Sequence, residues 1–374
     1  MKIVYLAFSY IPSRSANSLH VMKMCEAFAK LGHDVYLIVP DKKECYEPNV
    51  SDVYDFYNVQ NCFEIIKIQL SYPIINLAFF WPVLIIRLFK IKPDLIYGRY
   101  LPGSYLSAKL GYKVIFEVHY YQDKDTSSGK ILDLLVNHKK FIKLVTISET
   151  LRQAYIKKGR ANIKQSMVAH DASSLKKPLN INIHIIGRKN AYKVGYIGNL
   201  FKGKGMEVIS KLVLKIPEAD FHIIGGYTED IAYWKKIISA DNIFFHGFIS
   251  QNRIEKYIGS MDICLLPNQK QVLTHGSKDI DIGEYTSPLK LFDYMACEKP
   301  ILASDLPVLK EVLVHEYNCL LCVPDEVNSW VISLRKLFKD EKLRLTISQN
   351  AFRSFCQKHT WINRAHKILD NECI

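Results

Sequence analysis

The stretch SPLKLFDYMACEKP, residues 287–300, reads as a helix that starts directly after a polar loop and leads into the strand-like run ILASD. Ser287 is a residue type that caps helix amino termini, and Pro288 suits the first helical position, where no backbone N–H is needed. The helix should bury one stripe, formed by Leu289, Phe292, Met295 and Ala296. The sequence therefore predicts a helix that begins at Pro288 and turns free N–H groups toward an anion.

Two charged side chains share one side of this predicted helix. Lys290 falls in the first turn, where the helix dipole disfavours a cation unless an anion binds there too. Asp293 follows three residues later, and its carboxylate can accept hydrogen bonds from the hydroxyl groups of a ribose. The pattern predicts a diphosphate at the helix start and a ribose one turn on, although an amphipathic helix with a solvated Lys/Asp pair fits the same periodicity.

Strand, loop and helix patterns alternate on both sides of this helix. ILASDLPVLKEVL follows it, and VGYIGNLFKGKG precedes it as a strand and a glycine-rich loop. Such alternation is typical of parallel α/β sheets, which bind ligands at the carboxyl ends of their strands. Gly198, Gly203 and Gly205 allow close backbone approach in the loop. Lys202 and Lys204 can reach a phosphate there, although the loop matches neither a dinucleotide fingerprint nor a P-loop.

The chain resembles the retaining glycosyltransferases of family 4, which have the GT-B fold. The resemblance is carried, in order along nearly the whole chain, by MKIVYLAFSYIPSRSANSLHVMKMCEAFAKLGHDVYLIVP, KPDLIYGRY, KVIFEVH, KLVTISE, VGYIGNLFKGKG, FHIIGG, FHGFISQNRIEKYIGSMDICLLPN, SPLKLFDYMACEKPILASDLPVLKEVL and NCLLCVPDE. It implies an α/β fold with two Rossmann-like domains facing across a cleft. The implied domains are residues 1–172 for the acceptor and 192–352 for the nucleotide-sugar donor, and residues 353–374 would form a helix that crosses back to the first domain.

The resemblance also implies a set of donor-site residues. Lys204 and Lys290 would neutralise the donor diphosphate, and Asp293 stands where the family has the second Glu of an E-x7-E pattern that grips the ribose. The first Glu of that pattern would fall at Tyr285, with Glu284 one residue out of register, so the backbone of residues 286–289 is expected to contact the transferred sugar instead. The full predicted set is Asn17, Ser18, Asn199, Lys202, Gly247, Phe248, Thr286, Ser287, Pro288, Leu289 and Asp293. Lys202 also fits a solvated loop cation.

His119 completes the predicted catalytic residues beside Lys204 and Lys290. It ends the strand FEVH and resembles the family histidine that orients the donor sugar, although a core histidine fits the same place. For the acceptor, the loops after Ile11 and Tyr97 are expected to contribute Arg14, His20, Arg99 and Tyr100.

Retaining transfer needs charge stabilisation on the departing nucleotide diphosphate, which a helix start with two lysines supplies. The expected co-substrate is a nucleotide sugar, a UDP- or GDP-sugar, and this arrangement requires no metal or other cofactor. The letters DID at residues 279–281 spell a D-x-D, but they lie with HGSKD in a polar loop, so we interpret them as coincidence. Cys319 and Cys322 form a C-x-x-C in a short apolar run and are interpreted as core packing, because no second Cys/His pair lies near them in the sequence.

The chain of 374 residues has a formal net charge of +13, which predicts an acidic partner. The basic residues lack a nucleic-acid motif, so an anionic membrane surface is favoured over nucleic acid. The apolar residues 74–86 are too few for a span of about 20 residues. With Arg87, Lys90 and Lys92 they fit an interfacial helix that docks where a lipid-linked acceptor waits, although a basic enzyme without membrane contact fits the same composition.

Nine scattered cysteines and a start directly in a strand, with no signal peptide, are typical of a cytoplasmic protein, here one that docks at the inner face of the membrane. Three function classes remain. The leading one is a glycosyltransferase that moves a sugar to a glycan or lipid-linked acceptor in surface polysaccharide or lipopolysaccharide biosynthesis. The others are a nucleotide-sugar epimerase and a non-catalytic sugar-nucleotide-binding subunit. No additional acid/base set for an epimerase is evident, and an idle subunit would be expected to lose Lys290 or Lys204.

Overall fold

The computed structural model describes residues 1–69, 76–178, 183–274, 277–281 and 283–370, and for residues 76–79 and 273–280 it describes the backbone alone. The chain divides into two compact units. Unit 1 comprises Met1–Asp171 and Trp361–Ile374, and unit 2 comprises Ala172–Thr360. The return to unit 1 begins at Trp361, within the range 353–374 that the resemblance implies for the helix that crosses back.

Unit 1 is built on a seven-stranded sheet with the order β3-β2-β1-β4-β5-β6-β7, in which every adjacent pair is parallel. Its strands are β1 (Lys2–Leu6), β2 (Asp34–Asp41), β3 (Glu64–Gln69), β4 (Leu95–Gly98), β5 (Lys113–Val118), β6 (Phe141–Thr146) and β7 (Ser166–Val168). Ile3, Val4, Tyr5 and Leu6 are all fully buried. Such a continuous apolar run is what a parallel strand needs when helices cover both faces of the sheet.

The helices of unit 1 are α1 (Ala16–Lys30), α2 (Val53–Phe56), α3 (Asn76–Ile91), α4 (Leu101–Lys109), α5 (Ser127–Val136), α6 (Glu149–Lys157) and, from the carboxyl end of the chain, α13 (Trp361–Leu369). Helix α1 begins after Ser15, whose Oγ accepts a hydrogen bond of 3.1 Å from the N–H of Ser18. That contact is an N-cap, which satisfies one of the N–H groups that the first turn leaves without a partner. Helix α13 packs against α1.

Unit 2 repeats the design with a six-stranded sheet in the order β10-β9-β8-β11-β14-β15, again parallel throughout. Its strands are β8 (Tyr192–Ile197), β9 (Ala219–Ile224), β10 (Ile243–Gly247), β11 (Ile263–Leu266), β14 (Ile301–Ser304) and β15 (Leu320–Cys322), and β12 (Leu273–Thr274) pairs with β13 (Ser277–Asp281) as a separate antiparallel hairpin. The helices are α7 (Met206–Lys215), α8 (Thr228–Ile237), α9 (Ile254–Gly259), α10 (Leu289–Ala296), α11 (Val327–Lys339) and α12 (Glu341–Lys358).

Both sheets have the strand order of a Rossmann fold, which confirms the predicted two-domain α/β class. In such sheets the order reverses beside the first strand, and ligands bind outside the carboxyl ends of the strands at that point. In unit 1 the reversal lies between β1 and β4, and in unit 2 it lies between β8 and β11. The loops that follow these four strands are therefore where functional side chains are expected.

Three local predictions can be compared with the fold. The polar segment that carries HGSKD and DID was predicted to be a loop. This is wrong, because its described residues form the β12/β13 hairpin, while residues 275, 276 and 282 lie outside the described part. The helix predicted from residues 74–86 is present as α3, with Pro82 inside it and residues 74 and 75 not described. Cys322 lies in β15 and Cys319 directly before it, and both are buried, as predicted for core packing.

Among the described helices, none combines the length and the apolar character that crossing a bilayer requires.

Candidate functional site

Helix α10 begins one residue later than predicted. Pro288 has φ −76° and ψ 119°, which is an extended conformation, so it occupies the N-cap position and Leu289 is the first helical residue. The prediction that Ser287 is the N-cap and Pro288 the first helical residue is therefore wrong. Phe292, Met295 and Ala296 are buried as predicted, whereas Leu289 is half-buried.

Lys290 is half-buried at the start of α10, and its Nζ is buried without a hydrogen-bond partner among the described residues. Its Nζ lies 3.7 Å from the centroid of the Tyr196 ring, whose π face attracts a cation. Gly198 makes room for it, because a Cβ at that position would lie 2.9 Å from the Lys290 ammonium group. The backbone there has a φ of +133°, a value that also favours glycine.

A second lysine raises the positive charge of this region. Lys204 lies in the loop after β8, and burial lowers the pKa of its ammonium group to about 8. The pKa of Lys290 is lowered well below its ordinary value, first by burial and then by the charge of Lys204. An anion bound beside the two ammonium groups would raise both pKa values, because it restores the charge stabilisation that burial removes. We call Lys204 and Lys290 the lysine pair.

Asp293 lies one turn further along α10 and meets the segment that opens unit 2. The hydroxyl of Ser173 donates a 2.6 Å hydrogen bond to Asp293 Oδ1. The same Ser173 Oγ accepts a 3.0 Å bond from the N–H of Leu175, which fixes the serine in place. The carboxylate is half-buried, and Ser173 is one of the groups that hold it in place.

The other donor-site residues predicted in unit 2 lie in three places. Asn199 is half-buried in the loop after β8, where its carbonyl oxygen accepts a 2.6 Å hydrogen bond from the Tyr196 hydroxyl. Lys202 is exposed, as a solvated loop cation would be. Gly247 ends β10 with a φ of +68°, and Phe248 follows it, half-buried. Thr286 and Ser287 are buried directly before α10.

In unit 1, the carboxylate of Glu117 is the centre of a buried hydrogen-bond network. Its Oε1 lies 2.5 Å from His119 Nε2 and 2.9 Å from His20 Nε2. Its Oε2 lies 3.1 Å from Nη2 of Arg364 and accepts a hydrogen bond from the Tyr97 hydroxyl. Burial alone raises a carboxyl pKa, but Arg364 and His20 hold the pKa of Glu117 well below its ordinary value. Glu117 is therefore ionised.

His119 is the member of this network that reaches the surface, with 23% of its side chain exposed. It follows β5, and its pKa is lowered to about 4 by burial and then by the charge of Arg99. The ring is consequently neutral at physiological pH. A neutral imidazole beside an anionic carboxylate can bind a hydroxyl group without carrying a charge of its own.

The residues predicted for the acceptor differ in their exposure and in their partners. Arg14 is exposed and pairs with Glu47. His20 is buried, and its Nδ1 lies 2.8 Å from Asp171, so its prediction as an acceptor contact is wrong: the side chain belongs to the interior network. Arg99 follows β4, and its Nε lies 4.0 Å from Glu117.

Tyr100 and the first loop complete the predicted residues of unit 1. Tyr100 stacks on Trp81 with 5.9 Å between ring centroids. Asn17 is half-buried and donates a hydrogen bond to Ser9 Oγ at 3.1 Å. Ser18 is fully buried among serine hydroxyls, and its Oγ donates to the carbonyl of Tyr10 at 2.9 Å. The Ser18 hydroxyl therefore has interior hydrogen-bond partners.

Two sets of side chains contain residue types that can bind a metal ion: a His/Glu/His cluster and the D-x-D. Within the described residues, His20, Glu117 and His119 place one ligand atom each within 4.8 Å of one another. The guanidinium group of Arg364 already neutralises Glu117 from 3.1 Å, so we interpret the three side chains as part of a hydrogen-bond network. In the D-x-D, Asp281 Oδ1 accepts hydrogen bonds from the N–H groups of Val272 and Gly283, at 2.9 and 2.8 Å, and braces the hairpin.

Sequence reasoning missed six residues that contact Lys290 or Asp293 or belong to the Glu117 network: Tyr196, Ser173, Glu117, Tyr97, Asp171 and Arg364. Glu117 had a signal, because it lies two residues before His119 in FEVH and both side chains therefore point to the same side of an extended chain. Tyr196 lies two residues before Gly198 and had the same kind of signal. The partners Ser173 and Arg364 lie far from Asp293 and Glu117 in the sequence, and no local pattern connects them.

Two family models match the chain. Glycosyltransferase Family 4 matches residues 18–166, and Glycosyl transferases group 1 matches residues 180–354. The chain is also 27% identical over 183 residues to an uncharacterized glycosyltransferase, MJ1069, of Methanocaldococcus jannaschii, in a match that covers 46% of this chain and 43% of that protein.

A second relative is the alpha-galactosylglucosyldiacylglycerol synthase of Streptococcus pneumoniae, which is 24% identical over 136 residues, or 34% of this chain and 33% of the synthase. The chain thus matches less than half the length of these two relatives. Among solved structures, HepE of Anabaena in complex with UDP and glucose is similar in fold, with a TM-score of 0.71, 14% identity and 98% of each chain covered.

Proposed function

Because this chain belongs to the family 4 glycosyltransferases and has their GT-B fold, we propose that it transfers a sugar from a nucleotide-diphosphate donor to a glycan or lipid-linked acceptor, with retention of the anomeric configuration. The observation that carries the proposal is the lysine pair. Both lysines are half-buried at the switch point of unit 2, burial lowers the pKa of each, and the buried Nζ of Lys290 has no hydrogen-bond partner among the described residues.

A diphosphate suits the lysine pair better than a singly charged anion does. Two cations that repel each other in a water-poor environment need about two negative charges to compensate them. A nucleotide diphosphate supplies that charge, and its ribose hydroxyls would meet Asp293 one turn along α10. The similarity to HepE, which was solved with UDP, supports UDP as the first nucleotide to test, with GDP as the alternative.

The same groups account for the chemistry of the transfer. When the bond between the sugar and the diphosphate breaks, negative charge develops on the leaving oxygen, and the lysine pair is already in place to stabilise it. We propose that this charge stabilisation makes a metal ion unnecessary, and that neutral His119 orients the donor sugar by a hydrogen bond.

We further propose that α3 docks on an anionic membrane surface, where a lipid-linked acceptor for surface polysaccharide or lipopolysaccharide synthesis would be found. Its inner face is buried through Phe80, Leu84 and Leu88. Its outer face exposes Ile86 and Phe89, which are 53% and 56% exposed. Arg87 and Lys90 are exposed on the same helix.

That arrangement fits an interfacial helix, since apolar side chains enter the boundary of the bilayer while basic groups pair with anionic headgroups. The relative in Streptococcus pneumoniae is named as the synthase of a glycolipid, which supports an acceptor of this kind. We therefore propose that the protein acts at the inner face of the cell membrane.

The experiment that tests the proposed function is an activity screen. Purified protein is incubated with UDP-, GDP-, ADP- and CMP-sugars, with and without a membrane extract, and both the released nucleotide and the labelled sugar in the lipid phase are measured. Transfer from one donor, lost in Lys290→Ala, supports the proposal. Conversion of the donor without an acceptor would identify an epimerase instead, and binding without release or transfer would identify a non-catalytic subunit.

A further inference from the structure

The Glu117 carboxylate can only accept hydrogen bonds, and this constrains every group around it. Tyr97 donates its hydroxyl to Oε2, and Arg364 approaches the same oxygen at 3.1 Å. On the other oxygen, His119 Nε2 lies 2.5 Å from Oε1. A nitrogen that close to an anionic oxygen must carry a hydrogen, because two lone pairs would repel.

The proton on Nε2 fixes the chemistry of the rest of the His119 ring. A neutral imidazole has one N–H, so Nδ1 carries a lone pair and is an acceptor. Nδ1 makes no hydrogen bond to any residue in the described part of the chain. Because nearly a quarter of the side chain is exposed, a ligand can reach the ring.

Arg364 holds the carboxylate in this orientation from α13. Its Nε and Nη2 donate to the carbonyl oxygens of His170 and Ala169 at 2.9 and 3.1 Å, so the guanidinium group is fixed by backbone as well as by Glu117. Arginine has no acceptor, and the group that faces it must therefore always be an acceptor. The atom of residue 117 that faces Arg364 must therefore be an oxygen. The other atom, at the position of Oε1, determines the tautomer of His119.

We propose that Glu117 is a positioning residue that holds His119 in its Nε2–H tautomer, so that Nδ1 is presented as the acceptor for a hydroxyl group of the sugar substrate. Arg364 supports this by fixing the orientation of the carboxylate. The inference rests on the proposed function, since it assigns a sugar hydroxyl to a site of a glycosyltransferase. The substrate group it selects is a hydrogen-bond donor, and a sugar that lacks that hydroxyl would leave Nδ1 without a partner.

Glu117→Gln separates this role from a merely structural one. The glutamine offers one oxygen and one NH2 group, and Arg364 with Tyr97 will keep the oxygen on their side. The NH2 group then faces both His119 Nε2 and His20 Nε2, which lies 2.9 Å from the same oxygen, and it has one hydrogen for each ring. Its donation to His119 Nε2 forces the proton of that ring onto Nδ1. Nδ1 then donates a hydrogen bond where it accepted one before. We expect the transfer rate to fall about tenfold to a hundredfold, the range for the loss of one buried hydrogen bond.

The tautomer can be read directly by long-range ¹H–¹⁵N correlation spectra of protein with ¹⁵N-labelled histidine. The chain has twelve histidines, and His119→Asn identifies the signal of residue 119 by its disappearance. The expected results are the Nε2–H pattern in the unmodified protein and the Nδ1–H pattern in Glu117→Gln. In the His119→Asn background, Glu117→Gln should cause no further loss of rate.

Glu26→Gln is the matched control, because Glu26 is also buried in unit 1 and accepts hydrogen bonds from Lys30 and from the N–H of Gln60. It should change neither the His119 signal nor the rate. An Nδ1–H tautomer in the unmodified protein would overturn the inference even if Glu117→Gln does not fold. A tautomer that changes while the rate stays the same would also overturn it.

UDP and GDP binding distinguishes a failure of this inference from a failure of the proposed function. Nucleotide binding depends on unit 2 and should be the same in the unmodified protein and in Glu117→Gln. If neither nucleotide binds the unmodified protein, the proposed function fails whatever the tautomer is. If one binds and the Glu117→Gln substitution alters neither tautomer nor rate, the positioning role of Glu117 is the part that is wrong.

Discussion

Lys290 Nζ lies 3.7 Å from the centroid of the Tyr196 ring, and an aromatic face is a weak substitute for an anion. The ammonium group is buried and has no hydrogen-bond partner within the described ranges. Burial of a charge without a counter-ion costs free energy, and a protein retains such a group when a ligand compensates it. The ligand-free state is therefore less stable than its packing alone would allow, and the bound state recovers the difference.

Lys290→Met should raise the stability of the ligand-free protein. The substitution keeps the length of the side chain and removes the buried charge. We expect the thermal midpoint to rise by about 2 to 4 °C, the shift that about 1 kcal/mol gives in a domain of this size. Lys202→Met is the control, because Lys202 is exposed in the neighbouring loop and should leave the midpoint unchanged. If the midpoint of Lys290→Met falls instead, the ammonium group stabilises the ligand-free protein, and its description as an uncompensated buried charge is wrong.

Binding of a diphosphate should take up protons in alkaline solution. The pKa of Lys204 is lowered to about 8 by burial, and that of Lys290 lies well below its ordinary value. Above pH 8 the ligand-free site loses protons, whereas a bound anion raises both pKa values, so the complex holds more protons than the free protein. Affinity should fall as the pH rises above 8.

Calorimetry with UDP at pH 8.5 in buffers of different ionisation heat measures this uptake, since the phosphates of UDP are already ionised there. Lys290→Met should take up fewer protons. Zero uptake or proton release by the unmodified protein would contradict the electrostatic description of the lysine pair.

Asp293→Asn should weaken nucleotide binding while leaving pyrophosphate binding unchanged. The carboxylate is expected to accept hydrogen bonds from the ribose, and an amide replaces one acceptor by a donor. A loss of about tenfold or more in affinity for UDP is expected from a hydrogen bond to a charged group. Ser173→Ala is the matched control, because it removes the 2.6 Å bond to Asp293 but keeps the carboxylate. Equal losses for UDP and pyrophosphate would place Asp293 outside the ribose site.

The double substitution Ile86→Ser and Phe89→Ser should abolish membrane docking. Both side chains are more than half exposed on α3, next to Arg87 and Lys90. Flotation with vesicles of anionic lipid at low salt should retain the unmodified protein, and neutral vesicles or high salt should release it. Ile332→Ser, at an exposed apolar position of unit 2, is the control and should not change flotation. No binding of the unmodified protein at low salt would refute docking.

The sequence was sufficient for the α/β fold class, because alternating strand and helix patterns are local, and the resemblance to family 4 singled out Lys204 and Lys290, whose role stays a prediction. Buried apolar runs separated by glycine-rich loops predict parallel strands, and Lys290 sits in a helix start that periodicity alone reveals. The exact start of α10 was predicted one residue early. Ser287 and Pro288 satisfy the rules for the first two positions, but the extended backbone of Pro288 shifts the helix by one residue.

The interior network of unit 1 could not be predicted in the same way. Glu117 and Arg364 meet through tertiary structure, since α13 comes from the other end of the chain. His20 was assigned to the acceptor by its loop, yet it lies on the inner face of α1, four residues before buried Met24 and eight before buried Phe28. That i, i+4, i+8 spacing was a signal for the interior, and it was available in the sequence.

Titration calorimetry of UDP and GDP into the unmodified protein, Lys290→Met and Lys202→Met tests the nucleotide site most directly. We predict that one of the two nucleotides binds the unmodified protein and Lys202→Met with similar affinity, and that Lys290→Met lowers this affinity at least about tenfold, the cost of one charged hydrogen bond. Equal affinity in all three proteins would contradict the diphosphate site, and so would a loss in Lys202→Met alone.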